Sequence, residues 1–185
     1  MPLRPFLGLV PLGHVDLQVL QHLRVAITEF LALPVRILPP RPLPPNTYHL
    51  PRNQYYSTRL LEYLLSEDHD GAFRVLGITT ADLYIPIFTF VFGEAQLDGK
   101  AAIISTFRPG GGADNLQPRQ PIFLERLIKL SLHELGHTFN LPHCRRDACL
   151  MGFAANLEIL DRKKVELCEY CRVLLADYVN AVNGQ

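Results

Sequence analysis

Residues 133–143 read His-Glu-Leu-Gly-His-Thr-Phe-Asn-Leu-Pro-His, and this run constrains the fold more than any other stretch of the chain. Two histidines four residues apart lie about 40° apart around an α-helix, with Cβ atoms roughly 6 Å apart, so the imidazoles of His133 and His137 reach one ion. Glu134 is adjacent to that face and can touch a metal-bound water without ligating the metal. This is the His-Glu-x-x-His arrangement of zinc hydrolases, with the glutamate as general base. With 7 His in 185 residues, a shuffled chain shows the pattern on the order of once in a hundred, and a further His six positions on makes that roughly one in two thousand. That third histidine is His143.

His143 cannot share one straight helix with the other two. The helix must end just after His137, and the chain must turn back toward the ion. The turn needs a positive φ at position 140, where Asn140 stands, the best residue after glycine for that conformation. Pro142 then bars continuation of the helix. The sequence thus supplies a three-histidine site with an open fourth position. His14, His22, His49 and His69 have no such spacing and read as ordinary hydrogen-bonded residues.

All four cysteines fall in two pairs of zinc-ligand spacing, Cys144-x4-Cys149 and Cys168-x2-Cys171. Two disulfides or free buried thiols are the alternatives. The N-terminal segment Met1–Gly13 holds Arg4 and three prolines and lacks a small-residue cleavage site, so it reads as a first strand rather than a signal peptide. No inhibitory pro-segment is expected before it. In an intracellular chain disulfides are disfavoured, so four thiolates around one structural zinc are expected, stapling an irregular segment to the last helix.

The run HELGHTFNLPHC, followed by CLM at 149–151 and CEYC at 168–171, resembles the archaemetzincin family of zinc metallopeptidases in the metzincin clan. The interval from Met151 to Cys168 is one residue shorter than the family pattern, and Asn140 replaces a glycine. The segment ADLYIPIFTFVFGEAQLDGKAAIIS also resembles the family's sheet region, so the likeness runs from about Phe73 onward, with element order alone before it. It implies a metzincin-like catalytic domain over 1–185. An N-terminal subdomain (1–139) would carry the sheet and active-site helix, and a C-terminal one (140–185) the third histidine, a Met-turn and the four-cysteine zinc site. It also implies that Met151 packs beneath the three histidines as an apolar floor. The Ile87–Gly93 strand would be the sheet edge that pairs with an extended peptide. Phe153 occupies the position of a tyrosine ligand found in some metzincins, so no fifth ligand is expected.

The rest of the chain supports an α/β domain. Short apolar runs at Phe6–Leu12, Val35–Leu38, Phe73–Ile78, Ile87–Phe92 and Ala101–Ser105 read as strands. Helices are expected over His14–Leu33, Asn53–Leu65, Pro121–His137 and from an Asp161 N-cap to Val182. Glu94–Lys100 reads as a turn-rich connection, Gly110–Gly112 as a break, and the proline-rich stretch Pro39–Pro45 as a stiff extended surface loop. A mixed twisted sheet with a smaller C-terminal piece follows from that order.

Composition narrows the function. Lys plus Arg and Asp plus Glu are each 18, for a net charge of +0, so nothing drives phosphate or anionic-membrane binding. No apolar run approaches the roughly 20 residues that span a bilayer. The expectation is a cytoplasmic, monomeric zinc metallopeptidase with two Zn2+ per chain, acting on peptides through a zinc-bound water activated by Glu134, without nucleic-acid or membrane partners. The rivals are a non-catalytic zinc-binding module and a zinc hydrolase of non-peptide amides. Glu134 argues against the first, since holding zinc requires no carboxylate there.

Overall fold

The computed structural model describes residues 5–112 and 120–183. Strand β1 (Leu7–Leu12), helix α1 (Leu17–Leu31) and strand β2 (Val35–Ile37) come first, followed by the short strands β3 (Tyr48–His49) and β4 (Gln54–Tyr56). Helix α2 (Ser57–Ser66), β5 (Arg74–Thr79), β6 (Leu83–Tyr84), β7 (Gly93–Ala95) and β8 (Ala101–Ser105) complete the strand-bearing part. The remaining helices are α3 (Gln120–Thr138), α4 (Leu157–Arg162) and α5 (Glu169–Asn183). The main sheet has the order β2-β1-β5-β8-β7, parallel except for the antiparallel edge strand β7. A second sheet, β3-β4-β6, sits apart from it. The chain is therefore a mixed α/β domain, as its element order implies.

The central strands are buried on both faces, which is why they read as unbroken apolar runs rather than alternating ones. Leu7, Leu9, Leu76, Ile78, Ala102 and Ile104 belong to the core shared with α1 and α3. Their neighbours Val10, Leu12, Val75, Ala101 and Ile103 join Leu60, Leu61 and Leu64 of α2 in a second cluster. Gly77 belongs to this second face because a Cβ there would lie 2.7 Å from Leu64 Cδ1. Helix α1 starts at the Asp16 cap, whose carboxylate accepts from the Gln18 amide at 2.7 Å, and ends at Ala32 in the left-handed conformation. The stretch expected to be extended over Pro39–Pro45 is free of helix through Pro44, with Arg41 pairing with the end of β1, and at Pro45 it enters a single 3-10 turn, Pro45–Thr47. Among the described residues no helix is long and apolar enough to cross a membrane.

Three element assignments differ from the sequence reading. The helix expected from Asn53 starts at Ser57, because Gln54–Tyr56 pairs with β3 and β6. The helix expected from an Asp161 cap is two helices. Asn156 caps α4, its side chain accepting from the Ile159 amide at 2.9 Å, while Asp161 lies inside α4 and takes the Arg126 guanidinium at 2.7 and 2.6 Å. The intervening stretch pairs with the cysteine loop, the Leu150 amide donating to Glu166 O at 2.9 Å, and a continuous helix could not offer that carbonyl.

The third difference bears on the site. Ile87–Phe92 is a turn and loop, not a strand, and the sheet edge is Gly93–Ala95, inside the stretch read partly as a connection. Side chains take up the carbonyls that a strand would use. Arg52 donates to Phe88 O at 2.7 Å and Thr89 O at 3.2 Å, and Gln54 Nε2 donates to Thr89 O at 2.9 Å. The buried Asp82 carboxylate anchors this network, accepting from Gln54 Nε2 at 2.9 Å and from Arg108 at 2.9 and 2.7 Å, with Arg108 over the Phe90 ring. Replacing Asp82 with alanine strips Arg108 of its carboxylate and leaves Gln54 Nε2 with Thr89 O as its one acceptor. The expected loss is on the order of 2 kcal/mol, a lower urea midpoint at unchanged slope.

Candidate active site

Helix α3 carries His133, Glu134 and His137 into a cleft of about 380 Å³. One wall is the 85–95 segment, and the opposite wall includes Leu150, Gly152, Phe153 and Leu160. The helix terminates as its sequence demands. Asn140 has φ +61°, the Leu141 amide donates back to Gly136 O at 3.0 Å, and the Asn140 amide donates to His137 O at 2.9 Å. These two bonds make a Schellman cap. The Asn140 side chain adds a bond of 2.9 Å to the Tyr178 hydroxyl of α5.

The turn brings His143 to the other two imidazoles, and one ring nitrogen from each of the three lies within 4.8 Å of the others. His133 Nδ1 faces Leu150 O at 2.8 Å and His137 Nδ1 faces Leu141 O at 2.7 Å. A carbonyl only accepts, so each Nδ1 carries the proton and each Nε2 is left with a lone pair. Those two Nε2 atoms are 3.2 Å apart. Two facing lone pairs repel unless a cation lies between them, and tetrahedral zinc with Zn–N of about 2.0–2.1 Å sets nitrogens roughly 3.3 Å apart. The donor set fits a divalent metal.

Electrostatics agree with the geometry. Burial holds all three imidazoles below their usual range, His133 down to about 3, and neutral imidazole is the form that ligates metal. Burial pushes the Glu134 carboxyl up to about 8, with the nearby Glu94 charge adding to the effect. Met151 is fully buried, and its Sδ would lie 2.5 Å from a Cβ on Gly136. The methionine therefore packs on the helix at a glycine between His133 and His137, an approach any side chain at 136 would block.

The four cysteines also converge, their sulfurs all within 4.8 Å of one another and none in a disulfide. Cys144 Sγ and Cys168 Sγ are 3.8 Å apart. That matches two sulfurs on a tetrahedral zinc, with Zn–S of about 2.3 Å, and is far beyond a disulfide bond of about 2.05 Å. Backbone amides point at the sulfurs, Cys168 N–H to Cys149 Sγ at 3.3 Å and Arg146 N–H to Cys144 Sγ at 3.5 Å. The Cys171 amide is the main influence drawing the Cys168 thiol down to about 7, whereas burial pushes Cys149 and Cys171 up. Cys144 pairs with Gly152, its amide donating to Met151 O at 2.8 Å, so this cluster and the histidine site share one loop.

The fold and this donor set together define a zinc metallopeptidase. Comparison with known proteins specifies which kind. The model of peptidase family M54 matches residues 33–177, extending well upstream of the motif-bearing half. The archaemetzincin of Methanopyrus kandleri is 41% identical over 135 residues, 72% of each chain. Its crystal structure superposes with a TM-score of 0.83 over 96% of each chain. A zinc-dependent peptidase from Methanocorpusculum labreanum superposes with a TM-score of 0.80 at 28% identity, over 91% of this chain and 99% of its own. The chain belongs to peptidase family M54.

Several cleft residues have no signature in the sequence reading. Glu94 of β7 accepts hydrogen bonds from Ser57 Oγ and from Thr58 Oγ1, the latter at 2.8 Å, at the start of α2. Lys129 and Lys163 line the cleft although almost fully buried. Gly93 did have a signal, a glycine inside an apolar strand pattern, which often marks a close approach. A Cβ there would lie 2.6 Å from Ile103 O and 2.8 Å from Glu134 Cγ. Gly93→Ala should therefore displace the Glu134 side chain and β8 together, costing about 1–3 kcal/mol by overpacking. Chemical denaturation of the variant beside wild type checks the figure.

Proposed function

We propose that the chain hydrolyses peptide bonds with a zinc held by His133, His137 and His143 and with Glu134 as general base. The observation that carries this reading is the pair of unprotonated Nε2 atoms 3.2 Å apart, with a buried carboxylate on the next residue of the same helix. Zinc, when bound, supplies Lewis-acid polarisation of a carbonyl and draws the pKa of water toward neutrality. The carbonyls of Leu150 and Leu141 hold the first two imidazoles in the tautomer that presents Nε2. Glu134 takes the proton of the attacking water and passes it to the leaving amine. Burial raises its carboxyl above the usual carboxylate range, which makes the carboxylate a stronger base toward that water.

The substrate lies along β7. Among the described residues this strand ends the sheet and pairs only with β8, and Gly93, Glu94 and Ala95 line the cleft. Its outer edge suits an extended peptide added by main-chain hydrogen bonds. Phe90, Phe92, Phe153, Leu130 and Leu160 make the walls mainly apolar, which favours apolar side chains next to the scissile bond. Residues 1–139 supply the sheet edge and helix, and residues 140–185 the third histidine and the opposite wall. In this reading Cys144, Cys149, Cys168 and Cys171 hold a second, structural zinc.

Two measurements test the assignment. Elemental analysis should find two zinc ions per chain, with four thiols that resist alkylation until a chelator is added. One zinc with oxidised thiols would return the cysteines to disulfides. Glu134→Gln should keep zinc at the histidines while lowering kcat by about 10²–10⁴-fold on a peptide found by library digestion. Undiminished cleavage by the variant would remove Glu134 from the mechanism. A wild type that binds zinc and cleaves no peptide would favour the non-catalytic reading.

A further inference from the structure

Two lysines are buried beside the cleft, and they differ in how their charge is met. Lys129, 1% exposed, has the Glu125 carboxylate at 2.7 Å. Lys163, 4% exposed, makes no ion pair with a carboxylate among the described residues. Its Nζ donates instead to two carbonyls of the cysteine loop, Asp147 O at 2.8 Å and Cys149 O at 3.4 Å. A buried ammonium held by neutral carbonyls alone is costly. Four thiolates around one dication carry a surplus of negative charge, and two of those thiolates, Cys144 and Cys149, flank the loop to which Lys163 is bound.

We propose that Lys163 is the positioning residue that neutralises the four-cysteine metal site and pins its loop against the catalytic cleft. The inference rests on the reading of the cysteines as a zinc site. The geometry on the cleft side supports it. A Cβ on Gly152 would lie 2.6 Å from Lys163 Nζ, so the ammonium occupies space that only a glycine leaves open. Gly152 follows Met151 and pairs with Cys144, the neighbour of His143. One cation thus touches the loop that carries two thiolates, the methionine under the active-site helix and the link to the third imidazole. The fold supplies this cation from the C-terminal end of α4, where Lys163 is the capping residue.

The test compares zinc-loaded wild type with Lys163→Gln, Lys163→Arg and Lys163→Met. Glutamine keeps a donor for Asp147 O and loses the charge, arginine keeps the charge, and methionine loses both. Zinc transfer from the cysteines to a chromogenic chelator, followed with iodoacetamide alkylation of the thiols, should speed up about 10–100-fold in the Gln and Met variants, the usual size of an outer-shell effect. The Arg variant should stay close to wild type. In cobalt-substituted protein the thiolate-to-metal charge-transfer band should move to longer wavelength in Lys163→Gln and stay in place in Lys163→Arg, because loss of a nearby positive charge raises the sulfur orbitals. A purely structural role would leave that band unmoved. If Lys163→Met does not fold, the Gln and Arg pair decides alone. Wild-type protection and an unmoved band in Lys163→Gln would overturn the proposal and leave the zinc site standing, as would equal labilisation by Gln and Arg. Thiols already free to alkylation in zinc-loaded wild type would overturn both.

Discussion

The carbonyl oxygens of Leu141 and Leu150 decide which way two imidazoles face, and most of the site depends on that choice. Neither carbonyl belongs to the helix that carries the histidines. One is offered by the chain just beyond the Schellman cap and the other by the loop leading to Met151. Helix α3 alone would leave His133 and His137 free to rotate and to change tautomer. Orientation of a metal-binding imidazole through its second nitrogen is the usual means of raising its basicity and fixing its ring. Here that control comes entirely from residues after 140. The sheet and helix place the donors, and the irregular C-terminal segment aims them.

That division explains what could be read from the sequence and what could not. The three histidines, Asn140 and the paired cysteines were legible because each depends on spacing within a few residues, where helix and turn geometry leave little freedom. The main strands were legible from their apolar runs. The edge strand was misplaced by several residues because Ile87–Phe92 is as apolar as a strand. Only its tertiary partners Arg52 and Gln54 reveal that its carbonyls are used by side chains. The last helix was read too long for a related reason. Asp161 has the chemistry of a cap, and nothing local shows that Arg126, 35 residues earlier, takes its carboxylate. Glu94, Lys129 and Lys163 had no local signature, since a buried charge is recognisable only once its surroundings are known.

The cleft wall formed by β7 and the histidine-bearing helix are also joined. The Asp98 amide, in the tight turn between β7 and β8, donates to His137 O at 2.9 Å. The same carbonyl accepts from the Asn140 amide. An orphan carbonyl at a helix C-terminus is thereby used twice, once for the turn toward His143 and once for the hairpin that forms the sheet edge. The edge, the helix end and the third imidazole meet at one oxygen.

Asn140 has a consequence beyond shaping that turn. A glycine would adopt the left-handed conformation with less strain, but it would enter the folded state from a much larger set of unfolded conformations. Asparagine narrows that set before folding begins. Its side chain then reaches the Tyr178 hydroxyl on α5, a contact with no counterpart for glycine. The turn toward His143 is thus tethered to the C-terminal helix by a contact that no metal supplies, so part of the histidine geometry is built into the polypeptide itself.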